Sequence, residues 1–393
     1  MRKLIIALAL FLITNLAIGQ DFSLDNKRFQ TVSWNEFFKR LEKNPKLIYF
    51  DIRTEGERCD TSRFASYNQG KIKGAIETDF SDFDKSYPSY RKYQNDTIYL
   101  YCSHSRRSRL LAKRLADSTF TKVISINCGL SYLTTYGAKK ILLKDKYYTT
   151  KLKYELVTPF DFAKNLKDKK VQVIDIRNDS IYKGTTKSGW EKSFGTIKNV
   201  LHISNEKITE YLHLIDPSKK IILFDNDGES APKAANLLIE KKYKVGVLSF
   251  GLYNLQSIIP SYERSYLISN YRTIIPSEAL ELTRNKNTII IDTRTVLEFN
   301  SKDSEEWKNV GHLKNAINIP ISNMHTTSFD AFKNKNILLY DLGMDDELFE
   351  YANQLKEFGF KNVFLLTGGI LQVRWEIANE NKKELLQLIN SNF

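Results

Sequence analysis

The stretch "YLYCSHSRRSRLLAKRL", residues 99–115, brings a short apolar run to Cys102 and follows it at once with Ser103, His104, Ser105, Arg106 and Arg107. An apolar period of helical type then sets in. A cysteine attacks as its thiolate, and an unperturbed thiol is mostly protonated at neutral pH. Between a strand end and a helix N-terminus, Cys102 would meet backbone N–H groups and the positive end of the helix dipole. His104, Arg106 and Arg107 would add positive charge, favouring a thiolate and attracting an anionic substrate. Blander readings compete. A cysteine at a strand end can be a small buried hydrophobe, a charged run before a helix is usually a solvated face, and His104 taken alone reads as a surface residue.

The elements that must hold this stretch recur three times. "LIYFDIR", "VQVIDIR" and "TIIIDTR" are apolar runs ending in Asp-x-Arg, at Asp51/Arg53, Asp175/Arg177 and Asp292/Arg294. Runs of this kind read as buried parallel strands. "GKIKGA", "GTIKNV" and "GHLKNA" follow at Gly70, Gly195 and Gly311, and then "TIYLYC", "KIILFD" and "NILLYD", ending at Cys102, Asp225 and Asp341. The separations are nearly equal in all three. A helical pattern and a further strand close each copy in "KVISINCGL", "KVGVLSFGL" and "KNVFLLTGGI". Each copy also opens with a helix start: Ser33 with Glu36 fits a capping box, and Thr158 can cap a helix whose first position is Pro159. Strands alternating with helices predict a mostly parallel sheet with helices on both faces. The expected organisation is three tandem α/β domains at 28–145, 150–262 and 270–388. "SYERSYLISNYRTIIP" and residues 147–153 are read as linkers.

These residues resemble the rhodanese family of sulfurtransferases: the Asp-Ile-Arg strand, the "GKIKGA" segment, the loop "CSHSRRS" and the strand leading to "CGL" carry the likeness. The resemblance covers nearly the whole chain after residue 19. It implies that Cys102 is the nucleophile and that the backbone from Ser103 to Arg107 cradles it, with Arg107 binding the anion and Arg106 or His104 helping by charge. It further implies a persulfide on Cys102, an anionic sulfur donor such as thiosulfate, a thiol, protein or cyanide acceptor, and no cofactor. One departure is Ser105, where single-domain members commonly have glycine. Glycine tolerates a positive φ cheaply and serine does not. Copies two and three present Asp225 and Asp341 in place of the cysteine, and a carboxylate cannot carry a persulfide. Both are expected to be inactive. Related rhodanese-like phosphatases need five residues between cysteine and arginine; here four precede Arg107, Ser108 follows, and Arg109 could serve only if the helix start were reshaped. A non-catalytic binding or scaffold protein is the alternative of a different class.

The remaining signals are weaker. Cys59 and Cys128 are expected at the same sheet edge as Cys102, as possible redox partners or as bystanders. Asp225, Asp227 and Glu229 alternate, but the rest of a calcium loop is missing, and no metal-ligand spacing or phosphate-loop glycine pattern occurs. The 393 residues carry a formal net charge of +13, spread along the chain instead of gathered in an arm, which argues against a dedicated nucleic-acid segment. Met1–Arg2–Lys3 followed by an apolar run and small residues before Gln20 reads as a cleavable export signal, residues 1–19. It is short for a membrane span. The expectation is an exported protein, periplasmic or extracellular.

Overall fold

The computed structural model describes residues 28–390; the expected signal, 1–19, lies outside the described residues. Each copy folds around a five-stranded, all-parallel sheet with one strand order. In the first the order is Gln30–Val32, Lys122–Ile126, Thr97–Tyr101, Ile48–Asp51, Ile76–Glu77. In the second it is Glu155–Val157, Lys244–Leu248, Lys220–Phe224, Val171–Asp175, Leu201–His202. In the third it is Arg272–Ile274, Val363–Leu366, Asn336–Tyr340, Thr288–Asp292, Ile317–Asn318. The strands lack polar alternation because both faces are covered. Tyr49, Tyr99, Tyr101 and Ile124 pack on one face with Trp34, Phe37 and Phe38, whereas Phe50, Ile98, Leu100 and Cys102 pack on the other with Leu111, Ala112 and Leu115. Cys102 therefore continues the inward alternation of its strand, against the helix Arg106–Ala116.

The Asp-x-Arg signature is a structural clamp. Arg53 forms a two-armed ion pair with Asp51, both fully buried, and also donates to the Gly70 carbonyl at 2.7 Å. Tyr101, directly opposite Asp51 in register, donates its hydroxyl to Asp51 and accepts the Ile72 N–H. The third copy repeats this with Arg294, Asp292 and the Gly311 carbonyl, and Tyr340 accepts the Leu313 N–H. In the second, Phe224 stands opposite Asp175, and Arg177 pairs with Asp175 and also donates to Asn226 Oδ1. The "GKIKGA"-type segments recur because they supply the acceptor for this buried arginine. Gly70 and Gly311 also take φ of +67° and +72°, where glycine is unstrained.

Ser33 caps its helix as expected, but the Glu36 carboxylate turns to Arg40 and no capping box closes. Thr158 and Pro159 begin their helix as read from the sequence. The presumed linkers carry structure: Tyr148–Thr149 pairs antiparallel with Lys71–Ile72, and the later stretch holds Leu267–Ile268 and the strand Arg272–Ile274 that opens the third sheet. By packing, the described residues form two units. One comprises Gly184–Thr196 with Ile259 onward; in it the helix Gly189–Ser193 lies on Asp346–Glu357, and Asp346 accepts from Ser188 Oγ and the Trp190 N–H. The other comprises residues up to Lys183 with Ile197–Ile258, so it contains the first sheet and the second. Among the described residues no helix is long and apolar enough to cross a membrane.

Candidate active site

The loop after Thr97–Tyr101 is held from below by the turn that starts the last helix. Cys128 and Gly129 both adopt left-handed backbone, and the N–H groups of Leu130 and Ser131 then donate to the carbonyls of Cys102 and Ser103 at 3.0 and 2.9 Å. Copies two and three do the same with Phe250–Gly251 and Gly368–Gly369, donating to Asp225 and Asn226 and to Asp341 and Leu342. The glycine of "CGL" is required at that position, since a Cβ on Gly129 would stand 2.3 Å from the Ser103 carbonyl oxygen. Trp34 Nε1 donates to the Gly129 carbonyl and fixes the turn further.

Three residues past each strand-end residue the backbone is again left-handed: Ser105 at +79°, Gly228 at +84°, Met344 at +81°. The serine thus adopts the geometry for which glycine is better suited. In copies two and three this bend turns amides onto the strand-end carboxylate. Asp225 accepts the N–H groups of Gly228, Ser230 and Ala231 at 2.6 to 2.7 Å, and Asp341 those of Met344 and Asp345 at 2.6 and 2.8 Å. Each aspartate fills its own anion cradle. The hint of calcium ligands ends there, because Asp225 is used by amides, Asp227 accepts the Glu229 N–H, and no cluster of metal-ligating side chains exists among the described residues.

Only the first loop presents a thiol. Cys102 is 1% exposed. Its Sγ donates to Ser108 Oγ at 3.8 Å; that hydroxyl donates to the Ser105 carbonyl and accepts from Ser125 Oγ, both at 2.9 Å. Ser103 and Ser105 are buried and Arg106 is half-buried. Two expectations change. Arg107, read as a free anion-binding cation, makes a two-armed pair with Glu57 at 2.7 and 2.6 Å and donates to Ser103 Oγ. Burial raises the Glu57 pKa, but Arg107 outweighs it and holds the carboxylate below its ordinary range. His104, read as a surface residue that adds charge, is largely enclosed. Burial and then the neighbouring Arg107 push its pKa down to about 4, so it is neutral at pH 7. Arg109 donates to Ser105 Oγ and Asn127 Oδ1; burial lowers it to about 10, still charged at pH 7.

None of Cys59, Cys102 and Cys128 forms a disulfide. Cys59 ends the short helix Glu55–Arg58 that carries Glu57, and Cys128 caps the helix Gly129–Lys140. The sequence pattern did not mark Glu57 as a partner of this loop. The capping box Thr54-x-x-Glu57 was a readable signal for the helix start that carries it.

Among solved structures, a thiosulfate sulfurtransferase from Pseudomonas aeruginosa is similar at 13% identity, over 87% of this chain and 64% of its own, with a TM-score of 0.23. The chain thus spans less than two thirds of that protein. The anaerobic ergothioneine biosynthesis enzyme from Chlorobium limicola, solved with trimethyl histidine, is similar at 13% identity over 89% of this chain and 98% of its own, TM-score 0.27. A Rhodopseudomonas palustris protein of unknown function, described as a possible tyrosine phosphatase, is similar at 16% over 25% of this chain and 76% of its own, TM-score 0.21. A comparison with curated proteins found no match. The family model for the Rhodanese-like domain matches three times, at residues 33–134, 158–257 and 275–374. With one strand order, one loop clamp and one Asp-x-Arg pair in every copy, the chain belongs to the rhodanese-like domain family.

Proposed function

We propose that the protein is a sulfurtransferase with one working centre, at Cys102. The observation that carries this reading is the contrast among the three loops: two cradles are occupied by their own aspartates, and the third holds a thiol of equal placement at the head of a helix. Ionised Cys102 attacks the outer sulfur of an anionic donor such as thiosulfate. A bond forms between Sγ and that sulfur, the donor's S–S bond breaks, and sulfite leaves with the bonding pair. An acceptor thiol or cyanide then takes the sulfur and Cys102 leaves as thiolate. Ser108 suits both states: its hydroxyl accepts from the thiol, and by rotating off the Ser105 carbonyl it can donate to the anion. The pairing of Arg107 with Glu57 stiffens the loop, and the positive charge at the sulfur comes from the helix start and from Arg107, whose guanidinium interacts with Cys102.

The burial of Cys102 is the observation that favours a binding module without turnover. The phosphatase reading fits less well, because the helix begins at Arg106 and leaves a short loop. Thiocyanate formation from thiosulfate and cyanide tests the proposal: the intact protein turns over, and Cys102→Ser does not. Turnover by the variant would contradict the assignment. Export is proposed from the first nineteen residues alone, and sequencing the N-terminus of protein recovered outside the cytosol tests it.

A further inference from the structure

The second repeat's loop also reaches out of its own cradle. Glu229, just after the left-handed Gly228, accepts the Ala65 N–H on Oε2 at 2.8 Å and the Ser66 N–H on Oε1 at 3.1 Å, and Ser66 Oγ donates to the same Oε1. Two amides and a hydroxyl converging on one carboxylate are a strong, charge-assisted set that a neutral side chain cannot reproduce. Ala65 and Ser66 open the turn Ala65–Tyr67. Its last residue stands edge-on to His104, with ring centroids 5.8 Å apart and planes at 90°. Phe250, from the second repeat, also meets His104, at 5.7 Å. Burial pushes the Tyr67 phenol up, with Arg107, Glu57, Glu229 and Cys102 close enough to be felt. The group beside the thiol is therefore walled by aromatic rings, and one part of that wall is held from a different repeat.

We propose that Glu229 is a positioning residue for the Cys102 site: it holds the Ala65–Tyr67 turn so that Tyr67, His104 and Phe250 form a wall that admits a small anionic sulfur donor and disfavours one bearing an aryl group. This rests on the sulfur-transfer reading above. It gives the second repeat a use although its own cradle is closed.

The test uses the full chain with Glu229→Gln, which keeps the shape and removes the charge, and Glu229→Ala. Two readouts are needed: the rate at which the neutral reagent iodoacetamide alkylates Cys102, followed on its peptide, and kcat/KM for benzenethiosulfonate relative to thiosulfate. Alkylation should quicken about tenfold, the effect of losing roughly one charge-assisted hydrogen bond. The aryl-to-thiosulfate ratio of kcat/KM should rise. A merely structural role would instead lower Tm and depress both donors together. Unchanged alkylation in a folded variant, or an unchanged ratio, overturns the proposal. If the unmodified protein uses neither donor, the sulfur-transfer reading fails by itself, and alkylation alone still decides whether Glu229 holds the wall.

Discussion

At Ser105, Gly228 and Met344 one backbone bend is made by three different residues, so the loop's geometry is imposed by its surroundings and not by glycine. The clamp from the Cys128–Gly129 turn is what imposes it. Gly129→Ala puts a Cβ into the Ser103 carbonyl at a left-handed position, and should cost about 2 kcal/mol or more of stability. Thermal unfolding measures that loss, and sulfur transfer should fall with it. His104 makes a second prediction. Its pKa is about 4 in the fold against 6.5 unfolded. Below pH 6.5 the unfolded chain takes up a proton that the native state refuses, so stability is lost as the pH falls from 6.5 towards 4. His104→Gln should flatten that part of a urea-midpoint profile, and an unchanged slope would count against a buried neutral imidazole. Cys102 and the question posed by Ser105 were legible in the sequence. The fate of Arg107 was not, because its partner Glu57 is fifty residues away and only the fold brings them together.

The strands and their order could be read because each copy repeats the same apolar runs at the same separations. What the runs did not disclose was the reason for Asp-x-Arg. The arginine is internal, bridging the second strand in sequence to the carbonyl before the "KIKGA"-type turn. Arg53→Leu leaves Asp51 buried and unpaired and should destabilise the fold by about 3–5 kcal/mol. Chemical denaturation of the folded variant is the check, and a cost under about 1 kcal/mol would show that the pair is dispensable. Stretches taken as linkers escaped recognition for a physical reason: strands of two or three residues have too few positions to display a period.

On the scale of the whole molecule, three copies of one fold differ at the end of the central strand, where the first carries Cys102 and the others carry Asp225 and Asp341. The second loop collects Asp225, Asp227 and Glu229 near one another. Burial and then Asp225 raise Asp227 to about 7. A carboxylate raised in the fold ionises first in the unfolded chain, so its contribution to stability is fully present below pH 3.8 and is lost as the pH climbs from 3.8 to about 7. Asp227→Asn keeps an acceptor for the Glu229 N–H and should stabilise the protein at pH 8, by about 1 kcal/mol or more, with no gain at pH 3.5. Denaturation at the two pH values reads this out. The three-domain plan was legible from spacing alone. The exchange of Gly184–Thr196 into the unit that begins again at Ile259 was not, since nothing local marks a segment that packs on a distant helix.

The central claim is that one loop of three carries sulfur, on one atom. Intact mass of the reduced protein before and after thiosulfate, beside Cys102→Ser, tests it most directly. The account predicts a gain of one sulfur atom in the protein, mapped to the Cys102 peptide, and no gain in the variant. No gain in the folded, reduced protein, or a gain that survives in the variant, would contradict it.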